Sequence, residues 1–91
     1  IGKYGLLHLD FIKAHRKGRY TSLVSECRLN EYLYQIDIEA KEMLETIISR
    51  LATERGMDED LKARDMFRWV AEMYNIKASA EEIVFKEVIY K

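Results

Sequence analysis

The residues best suited to chemistry form a basic cluster in the first quarter of the chain. Residues 13–20 read Lys-Ala-His-Arg-Lys-Gly-Arg-Tyr, so four cations and a histidine surround a helix-ending glycine. At such a junction, side chains and free backbone amides both reach phosphate oxygens. Alternatively, the cations only oppose the negative dipole end of the first helix, and the sequence leaves both interpretations open. The candidate nucleic-acid-binding residues are Lys13, His15, Arg16, Lys17 and Arg19.

The basic cluster joins two short predicted helices, which gives this region a superficial likeness to a DNA-reading helix pair. Apolar residues at helical spacing predict these helices at 3–17 and 19–27, with a stop at Gly18. The second helix commits four apolar residues to one inward face, so it lacks an ordinary recognition face. Those residues are Tyr20, Leu23, Val24 and Cys27.

The rest of the chain is predicted to form a long helical hairpin. Apolar residues spaced three and four apart indicate helices at 29–55 and 58–90, and the chain contains no proline. Gly56 supplies the left-handed residue that ends the first of these helices, and Asp58 caps the second. Asp65 is a candidate second cap, where the last helix would bend. We therefore expect an all-α domain, a small bundle of four helices built on this antiparallel hairpin.

Two side chains in the middle of the last predicted helix are candidates for an interface or for fixing helix register. The indole N–H of Trp69 and the amide of Asn75 are able to hydrogen-bond across to the third helix or to a second subunit. The alternative is an ordinary core tryptophan beside an exposed asparagine.

No set of residues indicates catalysis, metal binding or a cofactor. His8 and His15 share a helix face, but the sequence provides no third metal ligand beside them. Cys27, the only cysteine, has no base or oxyanion site placed near it in the sequence. The four glycines match no phosphate-binding loop. We predict no metal, no cofactor, no small-molecule substrate and no enzymatic activity.

Composition limits the class of protein further. The 91 residues make one small domain with a net charge of −1. Residues 1–28 carry six basic and two acidic side chains, whereas the remainder carries nine and fourteen, so a basic arm adjoins an acidic body. A single cysteine and the lack of a long apolar run predict a cytoplasmic protein with no membrane contact. The chain starts at Ile1, so we expect an upstream segment in the natural protein.

Several blocks of the sequence follow one another at the intervals of a known family. The blocks are FIKAHR at 11–16, YTSL at 20–23, LNEYL at 29–33, LKA at 61–63, WV at 69–70, NI at 75–76, EIV at 82–84 and EVIY at 87–90. In these blocks the chain resembles TnpV, a small protein encoded on mobilisable bacterial transposons. The resemblance implies a bacterial cytoplasmic protein tied to a mobile element, and it carries over no catalytic residue.

The chain departs from the family pattern at two positions. Cys27 stands where the family usually has glycine, which predicts a differently built turn before the third helix. Tyr74 stands where the family usually has a second asparagine beside Asn75.

Two functions are expected from these observations. The first is a non-enzymatic accessory protein of a mobile element, associated with nucleic acid, that regulates transposition or excision. The alternative is a protein-interaction module without direct DNA contact, either a homodimer or an adaptor for an element-encoded recombinase.

Overall fold

The computed structural model describes residues 1–91 and consists of helices without any strand, so the predicted all-α class is confirmed. Five α-helices are followed by a single π-helical turn at Phe85–Ile89. The α-helices are α1 (Lys3–His15), α2 (Lys17–Ser25), α3 (Leu29–Glu54), α4 (Glu59–Arg64) and α5 (Met66–Val84).

The helices assemble into a rod that measures 56 × 20 × 18 Å. α3 packs along α5, and α1 packs on α3 and the π-helical turn at one end of this pair. Contacts of Gly5 with Asp37 and of His8 with Tyr32 show that α1 runs antiparallel to α3. Contacts of Tyr4 with Glu81 and of His8 with Ile89 show that α1 runs parallel to the chain's last residues. The α1–α2 junction therefore lies at one end of the rod, which we call the basic end. The turn at Gly56 lies at the other, the hairpin end.

The core lies in the half of the rod that holds α1. Its main cluster joins α1, α3, α5 and the π-helical turn, and consists of Tyr4, Ala40, Val84, Val88 and Ile89. No residue from 41 to 60 is buried, and Leu61 of α4 is the one buried residue near the hairpin end, where α3 otherwise faces its neighbours through half-buried side chains. α1 does not reach this end of the rod, so no further long helix covers the outer faces of the hairpin there.

The predicted last helix, 58–90, is divided in the structure. Asp65 interrupts it with φ −148° and ψ 80°, and its carboxylate accepts the backbone N–H of Arg68 at 3.1 Å. Asp58 caps α4 in the same way, by accepting the backbone N–H of Leu61 at 2.8 Å. An aspartate side chain competes with the helix for backbone donors, so it starts a new helix where the apolar pattern continues.

The first two helices also differ from the predicted ranges. The chain breaks at Arg16, which has φ −137° and ψ 57°, and Gly18 belongs to the first turn of α2. Only Leu23 of the four predicted inward residues of α2 is buried, while Val24 and Cys27 are exposed. The expectation that α2 is fully committed inward is therefore wrong.

The turn after α2 has the geometry that a glycine would give it. Cys27 has φ 56°, and Gly56 at the end of α3 has φ 68°. At both helix ends, two hydrogen bonds close a Schellman motif; after α2 these run from Cys27 N–H to Val24 O and from Arg28 N–H to Leu23 O. The cysteine thus does not change how the turn is built; it adopts the left-handed conformation that glycine favours.

The start of α1 is held by a side chain from α3. The carboxylate of Asp37 accepts the backbone N–H of Gly5 at 3.1 Å, and Lys41 Nζ lies 2.9 Å from its other oxygen. A Cβ on Gly5 would lie 2.9 Å from the carbonyl oxygen of Leu33, so a glycine is required for this close approach. Gly2 faces the same carboxylate. This contact fixes α1 against α3 and so positions the basic end.

Candidate nucleic-acid interface

The structure places the five predicted nucleic-acid-binding residues together on the surface at the basic end. All five are exposed, and no carboxylate forms an ion pair with any of them. The guanidinium of Arg16 lies 5.2 Å from the centre of the Phe11 ring, and the ammonium of Lys13 lies 5.7 Å from that of Tyr20. These cation–π contacts orient the two side chains without neutralising their charge.

The backbone at the start of α2 adds free donors to this cluster. The N–H groups of Lys17, Gly18 and Arg19 donate to no other group of the chain, and no side chain caps the helix. A Cβ built on Gly18 would have no heavy atom within 4 Å, so this stretch of backbone is open to approach. Free amides at a helix N-terminus bind anionic oxygens.

The helix dipole accounts for only part of the positive charge. Lys13 and His15 lie in the last turn of α1, where cations are favourable. Lys17 and Arg19 lie in the first turn of α2, where cations are unfavourable. Each of the other four helices has a carboxylate at its start, supplied by Asp37, Glu31, Asp58 and Asp65. The start of α2 therefore carries positive charge, which destabilises a helix at that end.

Arg19 also lines a pocket of about 310 Å³, together with the buried His8 and the carboxylates of Glu39 and Glu87. The Nδ1 of His8 lies 2.7 Å from the carbonyl oxygen of Ile89, which can only accept. Nδ1 therefore carries the ring proton and donates a hydrogen bond to that oxygen. Its Nε2 then accepts from the hydroxyl of Tyr32, also at 2.7 Å. Burial, the largest cause, lowers the pKa of His8 and keeps the ring neutral, although the bond to Ile89 opposes this shift.

The sequence interpretation missed the roles of His8, Tyr32 and Asp37. The available signal was spacing, because His8 lies four residues from both Tyr4 and Ile12, and all three are buried. A histidine in that series needs hydrogen-bond partners from another element. The helical spacing alone does not identify the element that provides these hydrogen-bond partners.

The two candidates for an interface or for helix register form no side-chain hydrogen bond to another helix. Trp69 is half-buried and packs under the ammonium of Lys62, which lies 4.7 Å from its ring centre. Asn75 is exposed, and its amide makes no hydrogen bond across to α3. Contact of Asn75 with a second subunit stays a prediction.

The groups considered for catalysis or metal binding do not converge. His8 is buried and His15 is exposed, and Cys27 is exposed on the turn after α2. No group of three or more His, Cys, Asp and Glu side chains lies close enough to hold a metal ion. None of the helices combines the length and the apolar character needed to cross a membrane.

Comparison with known proteins identifies the family. The model of the family described as "Transposon-encoded protein TnpV" matches residues 1–89. The chain belongs to the TnpV family. The predicted resemblance is thereby confirmed, and the TnpV match makes the chain a transposon-associated protein. No curated protein and no solved structure matches this TnpV chain.

Proposed function

We propose that this TnpV protein is a non-enzymatic accessory factor that contacts nucleic acid in the bacterial cytoplasm and regulates transposition or excision of its element. The contact surface is the basic end, with Lys13, His15, Arg16, Lys17 and Arg19 around the start of α2. The ligand groups are phosphate oxygens of a duplex.

One observation carries this proposal: Lys17 and Arg19 flank three unused backbone amides at a helix start. A cation there costs helix stability, because it faces the positive end of the dipole. A phosphate at the same point binds the amides and offsets the repulsion between the cations. The arrangement is unfavourable for the isolated chain and becomes favourable when an anion binds.

The expected binding mode is contact with phosphates rather than reading of bases. α2 has nine residues, and its first turn holds both the cations and the free amides. Contacts of this kind position a protein on a duplex but carry little sequence information. We therefore expect binding that depends strongly on salt and weakly on sequence.

The test is fluorescence anisotropy of a labelled 20-base-pair duplex at several salt concentrations. The Arg16→Ala/Lys17→Ala/Arg19→Ala variant is expected to bind more weakly, and the slope of log K against log salt falls by about 0.9 for each phosphate that the variant no longer neutralises. A matched control is Arg50→Ala/Arg55→Ala/Arg64→Ala, which removes three exposed cations nearer the hairpin end. Absence of binding at low salt, or equal weakening in the two variants, would overturn the proposal.

A further inference from the structure

A row of apolar side chains on the outer face of α5 has no partner within the chain. Phe67 is 89% exposed and Tyr74 is 74% exposed. Ala71 and Ala78 are exposed on the same face, because positions 67, 71, 74 and 78 are spaced four and three apart. We call these four residues the α5 face.

The outer surface of the other hairpin helix is quite different. α3 exposes carboxylates along its length, namely Glu31, Glu39, Glu42, Glu45 and Glu54. Both helices have one side facing the other and one side facing outward, yet only α5 exposes two aromatic rings on its outward stripe, whereas α3 exposes only Tyr34. An exposed apolar patch of this kind marks an interaction surface.

The spacing of the α5 face is symmetric, with intervals of four, three and four residues about a centre between Glu72 and Met73. Large and small residues alternate along the face, so reversing its direction places a large residue opposite each small one. We infer that the α5 face pairs antiparallel with the α5 face of a second copy of this chain. A two-fold axis at the centre sets Phe67 against Ala78 of the partner subunit and Tyr74 against Ala71 of the partner subunit. An isologous dimer requires such self-complementarity, whereas an unrelated partner does not.

The surface already contains a hollow at the point where the partner's ring would sit. A depression of about 200 Å³ is lined by Tyr74, Lys77, Ala78 and Glu81. It lies beside the small side chain of Ala78, which in the antiparallel register faces Phe67 of the partner subunit. Each Phe67 ring therefore inserts beside Ala78 of the partner subunit, and the small residues let the two helices approach closely.

The available area agrees with a weak, specific dimer. The two aromatic rings offer roughly 150–250 Å² each when fully covered, and the half-exposed Val70 lies at the edge of the face. The pair of copies then buries on the order of 1,000 Å² in total, the lower limit for a specific interface. We expect a dissociation constant in the micromolar range.

The flank of the α5 face supplies a polar contact in the same register. Arg68 and Asn75 lie on one side of the face, and the two-fold axis brings Asn75 within one helical turn of Arg68 of the partner subunit. The amide oxygen of Asn75, which has no partner within the chain, then accepts from that guanidinium.

The test is sedimentation equilibrium of the full chain over micromolar to near-millimolar concentrations, with a large-to-small exchange across the proposed interface. Phe67→Ala leaves the hollow unfilled, and Ala78→Phe sets two rings against each other. Each single variant is expected to weaken association about tenfold or more. The double variant restores the large-against-small pairing and is expected to return to within about threefold of the original affinity.

Controls separate this surface from general stickiness and from misfolding. Tyr34→Ala removes another exposed aromatic ring, on α3, and leaves association unchanged. Circular dichroism confirms that each variant is folded, and Ala71→Glu provides an independent disruption of the α5 face. The inference is overturned if the chain is a monomer at all concentrations. It is also overturned if the double variant loses as much dimerisation free energy as the two single variants together. The dimer does not depend on nucleic-acid binding. The Arg16→Ala/Lys17→Ala/Arg19→Ala variant is therefore expected to dimerise like the unsubstituted chain.

Discussion

At the scale of single residues, two buried polar side chains decide how α1 sits on the rest of the rod. Asp37 accepts the amide of Gly5 at one end of α1, and His8 joins the middle of α1 to Ile89 and Tyr32. Each side chain satisfies a backbone group that a helix end leaves unpaired. They therefore act as caps supplied by a neighbouring helix rather than by the same one.

The neutral state of His8 predicts a specific loss of stability in mild acid. Burial lowers its pKa below the ordinary value of 6.5, so below that pH the unfolded chain takes up a proton that the folded chain excludes. The free energy of unfolding should decline from about pH 6.5 downward, by at most about 1.4 kcal/mol per pH unit, and level off below the folded pKa. Urea unfolding at a series of pH values measures this.

Other acid-sensitive groups act in a different pH window. Burial would raise the pKa of Asp37, but hydrogen bonds from Lys41 and Gly5 outweigh it and lower this pKa below 3.8. A hydrogen bond from Lys3 lowers the pKa of Glu81 below 4.5. Their stabilisation is lost only as the pH falls below about 4.5 toward these depressed values.

Two histidine variants separate the effect of His8 from any general response to acid. His8→Gln is expected to be less stable at neutral pH, by about 1–3 kcal/mol, because a buried hydrogen bond is removed. It should also lack the decline that begins near pH 6.5. His15→Gln removes the exposed histidine as a control and should keep that decline. A decline of the same size in His8→Gln would contradict our assignment.

At the scale of helices, local chemical signals were predictable from the sequence and long-range ones were not. Gly56, Asp58 and Asp65 act on their own neighbours, so the sequence identified the turn and both caps. The break at Arg16 has no such marker, and the prediction placed it at Gly18 instead. Asp37 caps α1 only because α3 packs against it, which a residue pattern within one helix does not reveal.

The same distinction applies to the candidate site. The cations of the basic end were evident as a run of Lys and Arg, and the structure brings them together. The free amides were not evident, because they depend on where α2 starts. Once the break is at Arg16, Lys17 and Arg19 belong to a helix start, and the dipole no longer accounts for them.

The start of α2 should therefore show opposite effects on stability and on binding. Gly18→Glu replaces a poor helix former with a carboxylate at a favourable position and should raise the free energy of unfolding by about 0.5–1.5 kcal/mol. The same carboxylate repels phosphate and occupies the free amides, so affinity for duplex DNA should fall at least tenfold. Thermal unfolding and anisotropy on one protein sample measure both.

The neutral counterpart of that variant is Gly18→Gln, which adds a side chain of similar size without charge. It should gain part of the helix stability and lose much less affinity, because open space surrounds the position. Equal affinity in Gly18→Glu and the unsubstituted chain would show that phosphate does not bind at this helix start.

At the scale of the whole molecule, stability is distributed unevenly along the rod. Buried side chains from three directions meet near α1, whereas residues 41–60 contain no buried side chain. Local opening costs least where it exposes little buried apolar surface. The hairpin end should therefore open without the rest of the rod, and the α5 face lies partly in that weaker half.

Amide hydrogen exchange at low and high protein concentration tests this distribution together with the dimer. At low concentration, amides of residues 45–60 should exchange well before those of residues 33–40, because the latter belong to the buried core. At high concentration, protection should rise mainly across residues 67–78, since only the associated form covers the α5 face. Uniform protection along α3 would contradict the uneven core. A rise spread evenly over the chain would indicate that association is not confined to α5.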